Sequence, residues 1–197
     1  MTLVEYDNDT ICGIASHIEE IISYLGYDPQ DQHFQRTPYR VAKWMVDYRK
    51  QDDAAEAAKL LEAVFDDEHD SMVIVGPTTV RSFCAHHWLP VVGRAWVGYL
   101  PNGKVVGLSK LSRVVTYFAQ QFTVQERVTQ NVANILDEVL QPKGVMVVIE
   151  AEHGCMTLRG VKEAQALTRT SAVRGVFKTE ESARAEFLRL IGGFDGK

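Results

Sequence analysis

Two short stretches hold most of the chemistry available to this chain. Cys84-Ala85-His86-His87 places a thiol just ahead of two imidazoles, and His153-Gly154-Cys155 brings a second imidazole and thiol much later. Zinc binds thiolate and imidazole well, and a catalytic zinc keeps three protein ligands with a fourth position open to water. Cys84 and His87, spaced C-x2-H, can reach one ion from a strand-to-loop corner, with Cys155 as a third ligand from a neighbouring strand. His86 and His153 would then stand beside the metal as free imidazoles, which ionise near neutrality and suit proton transfer. A cysteine in a strand is ordinarily just a small buried apolar residue. Cys84 and Cys155 also have the residue types for a redox pair, and counting alone leaves these readings open beside the metal.

A second group of residues is basic. Arg40 and Lys43 lie three apart in one predicted helix, and Lys110 and Arg113 repeat that spacing in another, just after Gly107-Leu108-Ser109. A helix start offers free N–H groups and the positive end of the dipole, which suit phosphate oxygens. Arg159 follows the His153/Cys155 stretch. Taken singly, each is an ordinary solvated charge; together they make a phosphate cradle only if folding or assembly gathers them. The third group is Val124-Gln125-Glu126-Arg127. A carboxylate such as Glu126 can accept two hydrogen bonds from the N–H and NH2 edge of guanine, or simply sit in solvent at a helix start.

The elements that must position these groups are legible in outline. Ile11, Ile14, Ile18, Ile21, Ile22 and Leu25 share a face of a helix over 9–25, stopped by Gly26. Thr37-Pro38 reads as the capped start of a second helix, and an alanine-rich third covers 53–65. Strands are expected at 72–75, 79–83 and 91–100, with Pro101-Asn102-Gly103 as a hairpin turn before Val105-Val106. Helices over 109–119 and 124–140 follow, then a strand over 145–149, with 155–159 and 165–177 completing the sheet. A last helix begins at Thr179 and turns Ala183, Phe187, Leu188 and Ile191 inward. The class is α+β: one domain over 1–197, helical to about residue 66, then an antiparallel sheet with a helix pair inserted.

Bulk properties narrow the function classes. The chain has 197 residues, 46% of them hydrophobic and 24% charged, as in ordinary globular proteins. Its net charge of -5 argues against general nucleic-acid binding, which wants a basic face, yet leaves room for a local phosphate site. No apolar run approaches the roughly 20 residues of a membrane span, and Met1-Thr2-Leu3-Val4-Glu5 lacks the features of a secretory leader. A cytoplasmic protein is expected. Three cysteines, Cys12, Cys84 and Cys155, cannot all pair within one chain.

The stretches Thr37 to Lys43, Cys84 to His87, Gly107 to Lys110, Val124 to Arg127 and His153 to Gly160 together resemble the GTP cyclohydrolase I family. They occur in the family's order and span roughly residues 18–191. The resemblance implies zinc on Cys84, His87 and Cys155, with His86 and His153 as acid–base residues. It implies Glu126 as guanine anchor with Gln125 beside it, and triphosphate contacts from Arg40, Lys43, Ser109, Lys110, Arg113 and Arg159. It further implies the tunnelling fold, a toroidal homodecamer and active sites between subunits. The implied reaction adds water to C8 of GTP, releases formate, and rearranges the ribose to give dihydroneopterin triphosphate. That product feeds pterin, folate or deazaguanine synthesis.

The chain also departs from the family. Ala85 stands where Glu is usual, and Gln121 and Thr123 stand where Arg and Gln are common. Two other readings share the fold. A nitrile oxidoreductase of deazaguanine metabolism would use a cysteine nucleophile and a nicotinamide without zinc, which the Cys-x2-His and His-x-Cys arrangement disfavours. A non-catalytic paralogue would close the metal with a fourth protein ligand.

Overall fold

The computed structural model describes residues 8–49 and 52–192. Two compact units divide the chain, one over residues 1–50 and the other over residues 51–197. In the first, α1 (Asn8–Tyr24) and α2 (Thr37–Asp47) pack through Ile11, Ala42 and Val46, with Ile14 and Ala15 alongside. Gly26, at φ +84°, ends the first helix as the sequence suggests. Thr37 does not cap the second. The flanking residue is Arg36, with no side-chain cap, and the Thr37 hydroxyl turns back to the His33 carbonyl at 3.4 Å.

The second unit opens with α3 (Ala54–Lys59), shorter than its alanine content suggests. Asp53 caps it, accepting from the backbone N–H groups of Ala55 and Glu56. The helix does not continue to residue 65, because Val64 and Phe65 form β1 (Val64–Asp66), paired with β4 (Lys104–Val106). Side chains that are β-branched or aromatic fit that pairing better than a helix end.

The main sheet has the order β5-β2-β3-β6-β7. Its strands are β2 (Val73–Cys84), β3 (Pro90–Leu100), β5 (Phe122–Thr123), β6 (Gly144–His153) and β7 (Leu167–Gly175). All neighbours are antiparallel except β2 and β5. One face carries α4 (Leu108–Ala119) and α5 (Gln125–Leu140), whose apolar stripes enclose Val80, Ala95, Val97, Val147 and Ile149. Each such side chain taken fully out of water contributes about 1.5–3 kcal/mol. The opposite face packs Trp96, Met146 and Val148 against Phe177 and Phe187. Those two phenylalanines come from α7 (Val176–Thr179) and α8 (Glu181–Leu190), so the single last helix expected from Thr179 is two.

A bulge decides what faces the helices. The two strands expected at 72–75 and 79–83 are one, interrupted at Gly76-Pro77. Val75 pairs with Val97 and Thr78 with Ala95, so β2 holds one extra residue there. Side chains alternate faces with period two, and one inserted residue exchanges them. Val73 and Val75 pack toward the helices before the bulge; after it Val80 does, and with it Ser82 and Cys84. Without that residue Cys84 would point to the other side.

At the far end, residues 155–159 are not a strand. β6 stops at His153, opposite Val91, one position before Pro90 removes the next backbone donor. Gly154 then passes so close to Pro90 that a Cβ would lie 3.1 Å from its carbonyl oxygen. The chain coils into α6 (Gly154–Thr157) instead. Among the described residues no helix is long and apolar enough to cross a membrane.

Candidate metal centre and active site

Residues 84–88 form a tight coil between β2 and β3. The Trp88 N–H donates to the Cys84 carbonyl at 2.8 Å, and the Cys84 N–H donates to the Leu89 carbonyl at 2.9 Å. Trp88 closes the coil at φ 55°, a left-handed conformation uncommon for a bulky residue, with its ring against Phe122 at 5.4 Å. Ala85 is pinned from the side, its N–H donating to the Thr123 carbonyl at 3.0 Å. Coiling brings side chains three apart together. Cys84 Sγ lies 3.9 Å from His87 Nδ1 and 3.8 Å from His86 Nδ1.

The turn at α6 delivers Cys155 to the same place. One ligand atom each from Cys84, His87 and Cys155 lie within 4.8 Å of one another. A tetrahedral zinc with ordinary bond lengths needs its ligand atoms about 3.5–3.8 Å apart. The trio therefore needs to close by only about 1 Å, and two thiols with an imidazole are donors zinc prefers. Cys84 is 6% exposed, Cys155 is half-buried and His87 is open to solvent. Burial pushes the Cys155 thiol above its ordinary pKa, the neighbouring Cys84 adds to this, and Arg159 opposes it. Cys155 thus holds its proton unless a cation replaces it.

His153 ends β6 on the same helix-covered face, and its partner is Gln125. The Gln125 amide nitrogen donates to the Ile149 carbonyl at 3.0 Å, the Thr168 carbonyl at 3.1 Å and the Thr170 hydroxyl at 3.0 Å. Those three acceptors fix which end of the amide is nitrogen, so its oxygen faces His153 Nε2 at 2.8 Å. An amide oxygen only accepts, so Nε2 carries the proton. The imidazole is thereby held in one orientation with Nδ1 as its basic nitrogen. Burial lowers the His153 pKa, and the nearby Glu126 carboxylate works against that. Gln125, expected beside the guanine anchor, is 5% exposed and has its amide committed inside the protein.

The remaining candidates are distributed as follows. Glu126 is exposed in the first turn of α5, next to Gln125. Ser109, Lys110 and Arg113 occupy the first half of α4, Ser109 and Arg113 exposed and Lys110 half-buried. Arg159, exposed, follows α6 and acts electrostatically on Cys155. Arg40 and Lys43 are exposed on α2 of the N-terminal unit. Trp88, Thr129 and Thr170 were not singled out from the sequence. Thr129 and Thr170 share a hydroxyl–hydroxyl bond at 2.6 Å behind Gln125. Their signal is a polar run on an otherwise apolar helix and strand face, visible only once the pairing is known.

Comparison with known proteins agrees with this picture. The family model described as GTP cyclohydrolase I matches residues 14–192. The chain is 44% identical over 190 residues to "GTP cyclohydrolase 1" of Chlorobium chlorochromatii, covering 96% of this chain and 85% of that one. It is 47% identical over 174 residues to the protein of the same name from Gloeobacter violaceus, covering 88% and 81%. The Rattus norvegicus protein of that name is 44% identical over 188 residues, covering 95% and 78%.

Proposed function

The chain belongs to the GTP cyclohydrolase I family, and from that premise we propose that it is a zinc-dependent enzyme converting GTP and water to 7,8-dihydroneopterin triphosphate and formate. Its α+β architecture is the tunnelling fold of that family. The observation that carries the reading is the convergence of Cys84, His87 and Cys155 beside an imidazole whose tautomer Gln125 dictates.

Zinc bound by that trio would bring the pKa of a water in its fourth position toward neutrality, supplying the nucleophile for C8. The protein's own groups do the rest. His153 takes up a proton at Nδ1 and returns it as the ring opens, its Nε2 staying bonded to Gln125. Gln125 serves the substrate through His153. His86, exposed and next to Cys84, is the second proton carrier. Glu126 accepts from the guanine N–H and NH2 edge. Ser109, Lys110, Arg113 and Arg159 hold triphosphate oxygens, which orient the nucleotide and are not cleaved. Arg40 and Lys43, one turn apart on α2, are the pair the N-terminal unit offers to phosphate.

The reading includes a homodecamer with sites between subunits. Leu158, Val161 and Leu167, all more than half exposed around the Arg159 segment, support burial against a second copy. The purified protein, with zinc quantified on the same sample, should release formate from GTP and keep all three phosphates on the product. Zinc at about one per chain without formate would overturn the proposed substrate.

A further inference from the structure

Three buried side-chain atoms among the described residues have no hydrogen-bond partner: Gln121 Nε2, Thr123 Oγ1 and Thr157 Oγ1. Native proteins bury few such groups, because each gives up water and receives nothing. Their placement is not scattered. Thr123 is paired with Cys84 across the β2–β5 ladder, Gln121 precedes it by one pleat, and Thr157 follows Cys155 by two residues. All three border the two thiols.

The register settles which way Thr123 points. Phe83 pairs with Phe122, and their rings meet at 5.7 Å on one face of the ladder. Side chains alternate, so Cys84 and Thr123 share the opposite face, as do Ser82 and Gln121. Ser82 confirms this by donating to the Gln121 carbonyl at 3.1 Å. Adjacent strands are about 4.8 Å apart, which puts a hydroxyl at Cβ of Thr123 within reach of the Cys84 sulfur. Thr123 is 3% exposed, and its backbone carbonyl already anchors the coil through the Ala85 N–H.

We propose that Thr123 is a positioning residue for the metal centre, its hydroxyl donating to the Cys84 sulfur when that sulfur is a thiolate. A neutral thiol is a weak acceptor, whereas a thiolate accepts a strong, charge-assisted bond. The hydroxyl therefore has a partner only in the metal-loaded protein, in which Cys84 has given up its proton. Donation to the sulfur draws off part of its negative charge and holds it at one angle, as outer partners of metal ligands do. Two thiolates would otherwise quench much of the Lewis acidity that a water-activating ion needs. Thr123's role rests on the metal reading above.

Thr123→Val keeps the shape and removes the hydroxyl; Thr123→Ser keeps the hydroxyl and removes the methyl. Zinc affinity, measured by competition with a chelating dye, should fall about tenfold in Thr123→Val and stay near wild type in Thr123→Ser. In the cobalt-substituted protein, the sulfur-to-metal charge-transfer band should move to lower energy in Thr123→Val only. The metal-free Thr123→Val protein should melt at or above the wild-type temperature, since an orphaned hydroxyl has become a methyl group. A merely structural threonine would lower that melting temperature and leave the cobalt band in place. If Thr123→Val does not fold, Thr123→Ala takes its place with the same readouts. Wild-type zinc affinity and an unmoved band in the hydroxyl-free variant would overturn the role of Thr123 alone. Failure of the wild-type protein to bind zinc or cobalt would overturn the metal centre and this role together.

Discussion

Strand β6 carries two buried polar clusters on opposite faces, three residues apart, and they are built on different terms. Glu150, 4% exposed, sits in a row across three strands between Arg94 and Arg169. Both of its oxygens are taken: Arg94 donates at 2.9 and 3.1 Å, and Arg169 donates at 2.6 Å. Arg94 also lies over the Trp96 ring at 5.3 Å. His153, on the helix-covered face, has one nitrogen held by Gln125 and the other left for chemistry. Around it stand two thiols and three orphaned polar atoms. A cluster whose valences are filled is a structural device; one that stays incomplete under a well-packed core is a site waiting for an ion and a substrate.

The contrast breaks most sharply at Cys155. Cys155→Ala should lose zinc by more than the ~100-fold that removal of an outer partner causes, and formate release should vanish with it. Full activity in the metal-free variant would erase the distinction between the two clusters. Next comes Gln125→Leu, which frees the His153 ring. Turnover should fall by roughly 10²-fold, within the range of a misplaced acid–base group, while bound zinc stays at the wild-type level. Equal loss of zinc would make Gln125 part of the metal's support instead.

A smaller effect is expected at the substrate edge. Glu126→Ala should weaken GTP binding by about 2 kcal/mol, the scale of hydrogen bonds to a charged group, with zinc content unchanged. Unaltered affinity would return Glu126 to the solvated surface.

The smallest functional effect belongs to Glu150. Its burial pushes the carboxyl up, but Arg169 and Arg94 outweigh that and leave the pKa below its ordinary value. A carboxylate depressed on folding contributes stability above the ordinary carboxylate range, which is lost as pH falls through its folded value. Glu150→Gln should therefore cost roughly 2 kcal/mol near neutrality, toward the low end for a buried pair because both arginines are about half exposed. The difference from wild type should shrink toward zero in acid, and zinc should be retained throughout. Thermal unfolding across pH would show both.

Much of this arrangement was legible before any coordinates. The metal trio and His153 stand out because their residue types are rare and their spacing is chemical. The helices α4 and α5 stand out because their apolar residues recur at helical period over three turns or more. What stayed hidden depends on pairing. One extra residue at Gly76-Pro77 decides which face Cys84 takes, and no local pattern announces it. The same break makes one strand look like two. Residues 155–159 read as a strand by composition, but the edge ends at Pro90 and the chain has no partner to pair with. Gln125 sat beside a recognisable anchor and shared its expected role, while its burial under β6 and β7 turns it toward His153. Thr123 and Gln121 were visible as departures from the family pattern; only the ladder puts Thr123 opposite Cys84.

The most direct test is the zinc K-edge absorption spectrum of the purified protein, fitted for the ion's first shell. Two sulfurs, one imidazole nitrogen and one light atom from solvent are predicted, matching Cys84, His87, Cys155 and an open fourth position. A shell closed by a second imidazole would put His86 or His153 on the metal, make the site structural, and contradict the catalytic reading.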